Sequence, residues 1–317
     1  MTEGTAPTDG MPGLTKYAWL SIAAAVVTIV LKTGAYVLTG SVGLLSDAAE
    51  SVVNLVAAVI ALVALTVAVR PADDKHHYGH GKAEYFSAGI EGLMIFVAAA
   101  LIIVSAVNRL LHPQELEKLG IGLAITLLAT AVNGAVGWLL IRVGRQHRSA
   151  TLVADGKHLM TDVWTSVGVV VGVGLVAVTG WLPLDSLVAI AVALNILWMG
   201  WRLVASSTSS LLDAALTPAD VALVTAVLDR HRTEDVGFHG LQTRESGRQR
   251  FVSFHVLVPG AWTVQRAHDV VEEVESDIRA ALEHVIVSTH LEPREDHRSY
   301  ADYAYDVTAP PDEPRAR

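Results

Sequence analysis

Six long apolar segments decide what this chain can fold into. They cover residues 17–39, 42–69, 83–110, 119–143, 151–181 and 184–206. Each exceeds the ~20 residues a helix needs to cross the hydrocarbon of a bilayer, and several are long enough to tilt or to run past it. In lipid the backbone must satisfy its own hydrogen bonds, so segments of this kind become helices. A mean hydropathy of +0.43 over a chain of this length fits a membrane protein and not a soluble domain. The apolar stretch after Lys16 is too long for the hydrophobic region of a signal peptide and reads as the first span. Residues 1–15 are expected to be disordered and residues 16–212 to form the six-helix transmembrane bundle.

Basic residues orient the spans. Lys16, then Arg70, Lys75 and Lys82, then Arg142, Arg145 and Arg148, then Arg202 fall at one set of ends. Arg109 and Lys118 fall at the other. Positively charged loops stay inside, so the first set faces the cytoplasm and both termini are cytoplasmic in a cell membrane. Lys32, within the first span, is either snorkelling or paired. The chain has no Cys, which excludes disulfides and thiolate metal sites.

The pattern changes after Ser210. From Asp213 onward there are 19 Asp/Glu against 11 Lys/Arg, so nearly all of the net charge of −9 lies here. An acidic region of this kind argues against nucleic acid as a partner. Thr217 followed by Pro218 reads as the N-cap and first position of a helix that runs to about Arg232. Residues 236–245 and 250–258 are β-prone runs around a hairpin turn at 246–249. Residues 263–284 read as a second helix, whose apolar stripe includes Val264, Ala267, Val271, Val274, Ile278 and Ala281. A third strand follows at 285–291. The expected fold class is therefore an all-α six-helix membrane bundle followed by an α+β domain of order αββαβ at 213–293. Residues 294–317, acidic and Pro-rich, are expected to form a disordered tail.

Ionisable residues inside apolar spans are expensive and mark ion paths. His158 and Asp162 are four residues apart in one span, and Glu50 and Asn54 are four apart in another. Each pair shares a helix face, so the four can supply mixed nitrogen and oxygen donors to one metal ion. The alternative is two hydrogen-bonded polar patches that hold helices together. Asp47, one turn before Glu50, is a ligand, a group bonded to one, or part of the entry path. In the loop, Asp73, His76 and His80 can close on one ion because Gly79 and Gly81 permit a tight turn; a solvated charged loop is the plain alternative. In the α+β domain His239 and His255 lie on the hairpin strands, His290 and Glu292 point to one sheet face, and His268 lies on the polar side of the second helix.

These residues resemble the cation diffusion facilitator family. The resemblance rests on residues 41–47, on Pro71-Ala72-Asp73-Asp74 running into Tyr78-Gly79-His80-Gly81-Lys82-Ala83-Glu84, and on Asp155-Gly156-Lys157-His158 with Asp162. It continues through Phe238-His239, residues 250–255 and Thr289-His290-Leu291-Glu292-Pro293. It implies a homodimeric metal/proton antiporter with six spans and a metallochaperone-like cytoplasmic domain. The implied transport site falls on Glu50, Asn54, His158 and Asp162, and the loop site on Asp73, His76 and His80. An implied binuclear site falls on His239, His255, His268, His290 and Glu292. A charge interlock at the dimer's waist falls on Lys82 and Asp213. The family commonly carries His or Asp and then Asp on the second span, where this chain has Glu50 and Asn54. Either the site has moved one turn to Asp47 and Glu50, or it prefers a different ion.

The expected function is export of a cytoplasmic divalent cation in exchange for protons, with Zn²⁺ favoured and Fe²⁺ next, because imidazole suits these ions better than Mn²⁺. The ion is substrate and also a structural or regulatory ligand, and no cofactor is expected. A Mn²⁺ exporter of the same family, a membrane-anchored metal sensor and a hydrolytic membrane enzyme are the alternatives. An enzyme needs a nucleophile or base in a pocket, and no such pattern stands out, so the chain is read as a non-enzyme.

Overall fold

The computed structural model describes residues 13–39, 42–111, 120–181 and 183–300. The chain divides into two compact units between Thr208 and Ser209.

The first unit consists of six helices: α1 (Thr15–Thr39), α2 (Val42–Ala68), α3 (Ala83–Leu111), α4 (Gly120–Gln146), α5 (Ala150–Thr179) and α6 (Pro183–Leu211), the last ending just past the division. All six are long and apolar enough to cross a membrane. Helix α5, at 1.5 Å per residue, is about 45 Å long. Large apolar side chains such as Leu101, Val104 and Val178 point outward, as lipid-facing residues do. Inside, α1 packs on α2 and α4, α4 on α5, and α3 on α2 and α5.

Small residues set the closest approaches. A Cβ on Gly156 would stand 2.7 Å from the Gly137 carbonyl oxygen, which fixes α5 against α4. A Cβ on Gly200 would stand 2.8 Å from the Phe96 backbone nitrogen, which does the same for α6 against α3. Lys32 is buried within α1, so the snorkelling alternative falls. Near the opposite ends of these helices from the 70–82 loop, Arg109 Nη1 meets Asp185 Oδ2 at 3.3 Å.

Helix α5 has a worked N-terminus. The Ser149 hydroxyl accepts from the Leu152 N–H at 3.3 Å and donates to the buried Glu84 carboxylate of α3. The Thr151 N–H points at the same carboxylate at 3.4 Å. An anion at the positive end of a helix is favourable, and here it ties the start of α3 to the start of α5.

The second unit has the order α7 (Pro218–His231), β1 (Gly237–Ser246), β2 (Gln249–Val258), α8 (Val264–Ala281), β3 (Val285–Pro293). Thr217 caps α7 with Pro218 in its first turn, as the sequence implied, and Thr263 caps α8. The sheet order is β1-β2-β3, antiparallel and then parallel. The two helices bury Val224, Leu228, Val274 and Ile278 against Val252, Phe254 and Val256 of the sheet. A bulge follows His239, where Gly240 takes a φ of 64°.

The expectation of disorder from residue 294 is corrected for its first residues. A 3-10 turn spans His297–Tyr300, the Ser299 hydroxyl donates to the Pro293 carbonyl, and the Tyr300 hydroxyl donates to the Arg294 carbonyl. The composition of the whole tail masked these local bonds. Residues 1–12 and 301–317 lie outside the described residues.

Candidate metal sites

Three helices of the first unit bring polar side chains to one buried point. On α5, His158 and Asp162 lie about 12 and 18 Å along the axis from Ala150. On α2, Asn54 stands between them. His158 Nε2 lies 2.6 Å from Asn54 Oδ1, and Asn54 Nδ2 donates to Asp162 Oδ2. Asn133 of α4 donates from Nδ2 to the same carboxylate oxygen at 3.0 Å. These four residues are between 1% and 6% exposed.

The network fixes its own proton positions. A carboxylate accepts, so the amide nitrogen of Asn54 faces Asp162 and its oxygen faces His158. Nε2 of His158 is then the donor, and Nδ1 keeps its lone pair. That Nδ1 is buried and has no hydrogen-bond partner among the described residues. The donors present are an imidazole, a carboxylate and two amide oxygens, of which Asn133 Oδ1 is also without a partner among the described residues. This is a mixed nitrogen and oxygen set of the kind that holds a divalent transition-metal ion. The side chains of Asp47 and Glu50 lie outside the described residues, although both positions belong to α2.

Asn133 was not read from the sequence. Its signal was weak: one amide in an apolar run, with its partner on another helix. Glu91 and Asp155 were likewise unassigned, and both are buried.

The loop between α2 and α3 gathers the second set. His76 Nδ1 lies 3.2 Å from Asp73 Oδ1, and His80 Nε2 lies 3.4 Å from Asp73 Oδ2. The imidazole centroids of His76 and His80 are 4.4 Å apart. Gly79 takes a φ of 78°, which permits the turn between them. The N–H of Lys75 does most to hold the Asp73 carboxyl below its ordinary value; burial opposes this, and the N–H and imidazole of His76 add to the lowering. One ligand atom from each of the three residues lies within 4.8 Å of the others. Two atoms each bound to one ion at about 2.0–2.2 Å stand no more than ~4.4 Å apart, so the loop needs little adjustment to hold one.

The third set is in the second unit. Glu292 is its centre: Oε2 meets His239 Nε2 at 2.8 Å, while Oε1 lies 3.4 Å from His255 Nδ1 and 3.3 Å from His290 Nδ1. Sheet register places these residues. His239 pairs with His255 across β1 and β2, and His255 with His290 across β2 and β3. Imidazole centroids 4.9 and 5.0 Å apart follow from that pairing. His239, His255 and Glu292 form a group able to hold one ion. Tyr300 stacks on His239 with centroids 6.2 Å apart. His268 is exposed on α8 and does not join this group within the chain, because the polar face of α8 points away from the sheet.

Lys82 belongs to the first unit and Asp213 to the second. Within its own unit Asp213 accepts from Arg244 Nη1 at 3.1 Å, and its φ is 61°.

Six apolar helices with a buried imidazole–amide–carboxylate network across α2, α4 and α5, followed by a small sheet domain with clustered His and Glu side chains, fit a multi-pass membrane transporter of cations. The chain belongs to the cation diffusion facilitator family of cation efflux transporters. The sequence model of the cation efflux transmembrane domain matches residues 18–212, and that of the cation efflux protein, cytoplasmic domain, matches residues 216–294. An uncharacterized transporter of Synechocystis is 54% identical over 284 residues, covering 90% of this chain and 92% of that one. The cation-efflux pump FieF of Klebsiella pneumoniae is 29% identical, covering 88% of this chain and 93% of its own length. A solved structure described as a putative zinc transporter, CzrB, is 32% identical over 25% of this chain and 96% of that one, with a TM-score of 0.23.

Proposed function

We propose that this protein exports a divalent transition-metal ion from the cytoplasm in exchange for protons, as a homodimer. Zn²⁺ is the favoured substrate and Fe²⁺ the next. The observation that carries the reading is the buried contact of His158, Asn54, Asp162 and Asn133 across α2, α4 and α5. An imidazole in the set favours Zn²⁺ or Fe²⁺, while the weight of oxygen donors makes Mn²⁺ the second reading.

Exchange follows from shared ligands. Imidazole and carboxylate bind metal only when deprotonated, so an arriving proton displaces the ion and a departing proton readmits it. The distribution of basic residues supports cytoplasmic termini. In that orientation the loop residues Asp73, His76 and His80 and the cluster around Glu292 meet cytoplasmic metal. The loop then captures ions, and the Glu292 cluster strengthens the dimer when metal rises. A Lys82–Asp213 interlock belongs to the same proposed dimer.

Metal-by-metal uptake into inverted vesicles under an imposed pH gradient tests this reading. Zn²⁺ uptake that the gradient accelerates is expected. Metal binding without flux would instead favour a membrane-anchored sensor, and flux insensitive to the gradient would remove proton exchange.

A further inference from the structure

A short segment beyond β3 lies against the Glu292 cluster and supplies none of its imidazoles or carboxylates. It begins at Arg294, whose N–H donates to the Val258 carbonyl at 2.9 Å. Glu295 Oε2 accepts from the Gly260 N–H at 2.9 Å, which pins the segment to the end of β2 and the residues after it. The Ser299 hydroxyl donates to the Pro293 carbonyl at 2.8 Å, and Ser299 is buried. The strap closes on itself at Tyr300, whose hydroxyl donates to the Arg294 carbonyl at 2.9 Å. The match to the family's cytoplasmic domain ends at residue 294, so the rest of the strap lies beyond it.

Four rings then stand in a row. Tyr300 is nearly parallel to His239, at 20° with centroids 6.2 Å apart, within the range of packed aromatic pairs. His239 meets His255 edge-on at 4.9 Å, and His255 meets His290 edge-on at 5.0 Å. Exposure rises along the row: the side chains of His239, His255 and His290 are 4%, 23% and 68% exposed. The cluster is open at His290 and closed at His239, and Tyr300 is the ring at the closed end. Its hydroxyl is engaged by the Arg294 carbonyl, so the face of the ring, and not its oxygen, is what it presents to His239.

We propose that Tyr300 is a positioning residue for the Glu292 cluster: it fixes the His239 ring and keeps water from that end, so that a bound ion is released slowly. The role rests on the reading of this cluster as a metal site. An imidazole leaves an ion by turning about its side-chain torsions or by yielding its place to water. A ring packed on its face hinders the turn, and a covered site lacks the competing water. Glu292 Oε2, 2.8 Å from His239 Nε2, sets where the nitrogen points, and Tyr300 sets the plane of the ring.

Zn²⁺ release from the full-length protein tests this, in a parent carrying Asp162→Ala and His76→Ala so that the membrane and loop sites contribute little. Release into excess chelator is followed by stopped flow. Tyr300→Ala should release Zn²⁺ several-fold faster than the parent. Tyr300→Phe, which keeps the ring, should release it at the parent's rate. An unchanged rate in Tyr300→Ala, or Tyr300→Phe as fast as Tyr300→Ala, overturns the proposal.

A second readout needs no metal. Histidine modification by diethyl pyrocarbonate, mapped by mass spectrometry, should be several-fold faster at His239 in Tyr300→Ala than in the parent or in Tyr300→Phe, with His290 unchanged. Protection of His239 that survives Tyr300→Ala overturns the cover, and so does a gain of equal size at His290, which would report a loosened domain. If the parent binds no more Zn²⁺ than the same protein with His255→Ala and His290→Ala, the cluster is not a metal site and the role in holding an ion falls with it. The modification rates then still decide whether Tyr300 covers His239.

Discussion

The membrane network and the cluster around Glu292 use the same side-chain types but close in different ways. In the membrane, Asn54 bridges His158 and Asp162, giving its oxygen to one and its nitrogen to the other. In the sheet domain three imidazoles converge on one carboxylate with no bridging group. The first arrangement joins its amides, imidazole and carboxylate without an ion, but leaves His158 Nδ1 and Asn133 Oδ1 without a partner among the described residues. The second leaves imidazoles facing one another at distances set by strand register, and one of them, His290, is 68% exposed. A transport site must be stable both loaded and empty, whereas a stabilising site gains by being stable mainly when loaded. The amide at position 54 is a poorer metal ligand than a carboxylate, but a carboxylate there could not donate to Asp162.

Removing Asp162 should break this contrast most severely. Asp162→Ala takes away the acceptor of both Asn54 and Asn133 and leaves two buried amide donors unsatisfied, at about 1–3 kcal/mol each. Transport should vanish while the protein still inserts and purifies as the wild type does. Substantial Zn²⁺ flux from a correctly inserted variant would refute the assignment. His158→Asp should keep flux but move preference towards Mn²⁺, because a hard oxygen replaces a borderline nitrogen. An unchanged ranking of Zn²⁺, Fe²⁺ and Mn²⁺ would show that His158 does not touch the ion.

The converse holds for the second unit, which has its own core. A fragment of residues 209–300 should fold alone and gain about 2.7 kcal/mol from Zn²⁺ at a hundredfold excess over Kd. Replacing both His255 and His290 with Ala should abolish the gain, read as the shift in melting temperature. If Zn²⁺ leaves the wild-type melting curve in place, these are ordinary surface histidines.

Most of this architecture was legible in sequence because its signals are local. Apolar length gave the six helices, Thr217 gave the cap of α7, and β-prone runs around the turn at 246–249 gave the hairpin. His158 and Asp162 stood out because charge is costly in an apolar run and a spacing of four puts both on one face. Asn133 carried no such signal: its meaning depends on an approach of α4 to α5 that Gly137 and Gly156 set. His268 lies on the exposed side of α8 and does not join the cluster within one chain.

Asn133 offers a sharper and smaller test. Asn133→Ala removes a donor that positions Asp162 without removing a charge. Groups of this kind typically change metal affinity or activity by about 10–100-fold, and the lower end is expected here because Asn54 still holds Asp162. Zn²⁺ affinity should fall, and Asn133→Asp should fail to restore it, because an ionised carboxylate cannot donate. Full rescue by Asp would mean that Asn133 acts as a ligand and not through Asp162.

The smallest effect belongs to the 70–82 loop, which is solvated and therefore screened. The Asp73 carboxyl is held below its ordinary value by the N–H of Lys75 and the contacts of His76. Its contribution to loop order is then present above the ordinary carboxylate range and lost as pH falls through that range and the lowered value. Near neutral pH the carboxylate is already ionised, so the pH dependence of loop metal binding must come from the imidazoles of His76 and His80, which bind metal only when deprotonated. Zn²⁺ binding should be measured in a background lacking Asp162, His255 and His290, so that the loop dominates. There Asp73→Asn should weaken binding several-fold while leaving the shape of its acid decline unaltered. A decline that moves with Asp73→Asn would place the titrating proton on the carboxylate and remove the two histidines from the loop site.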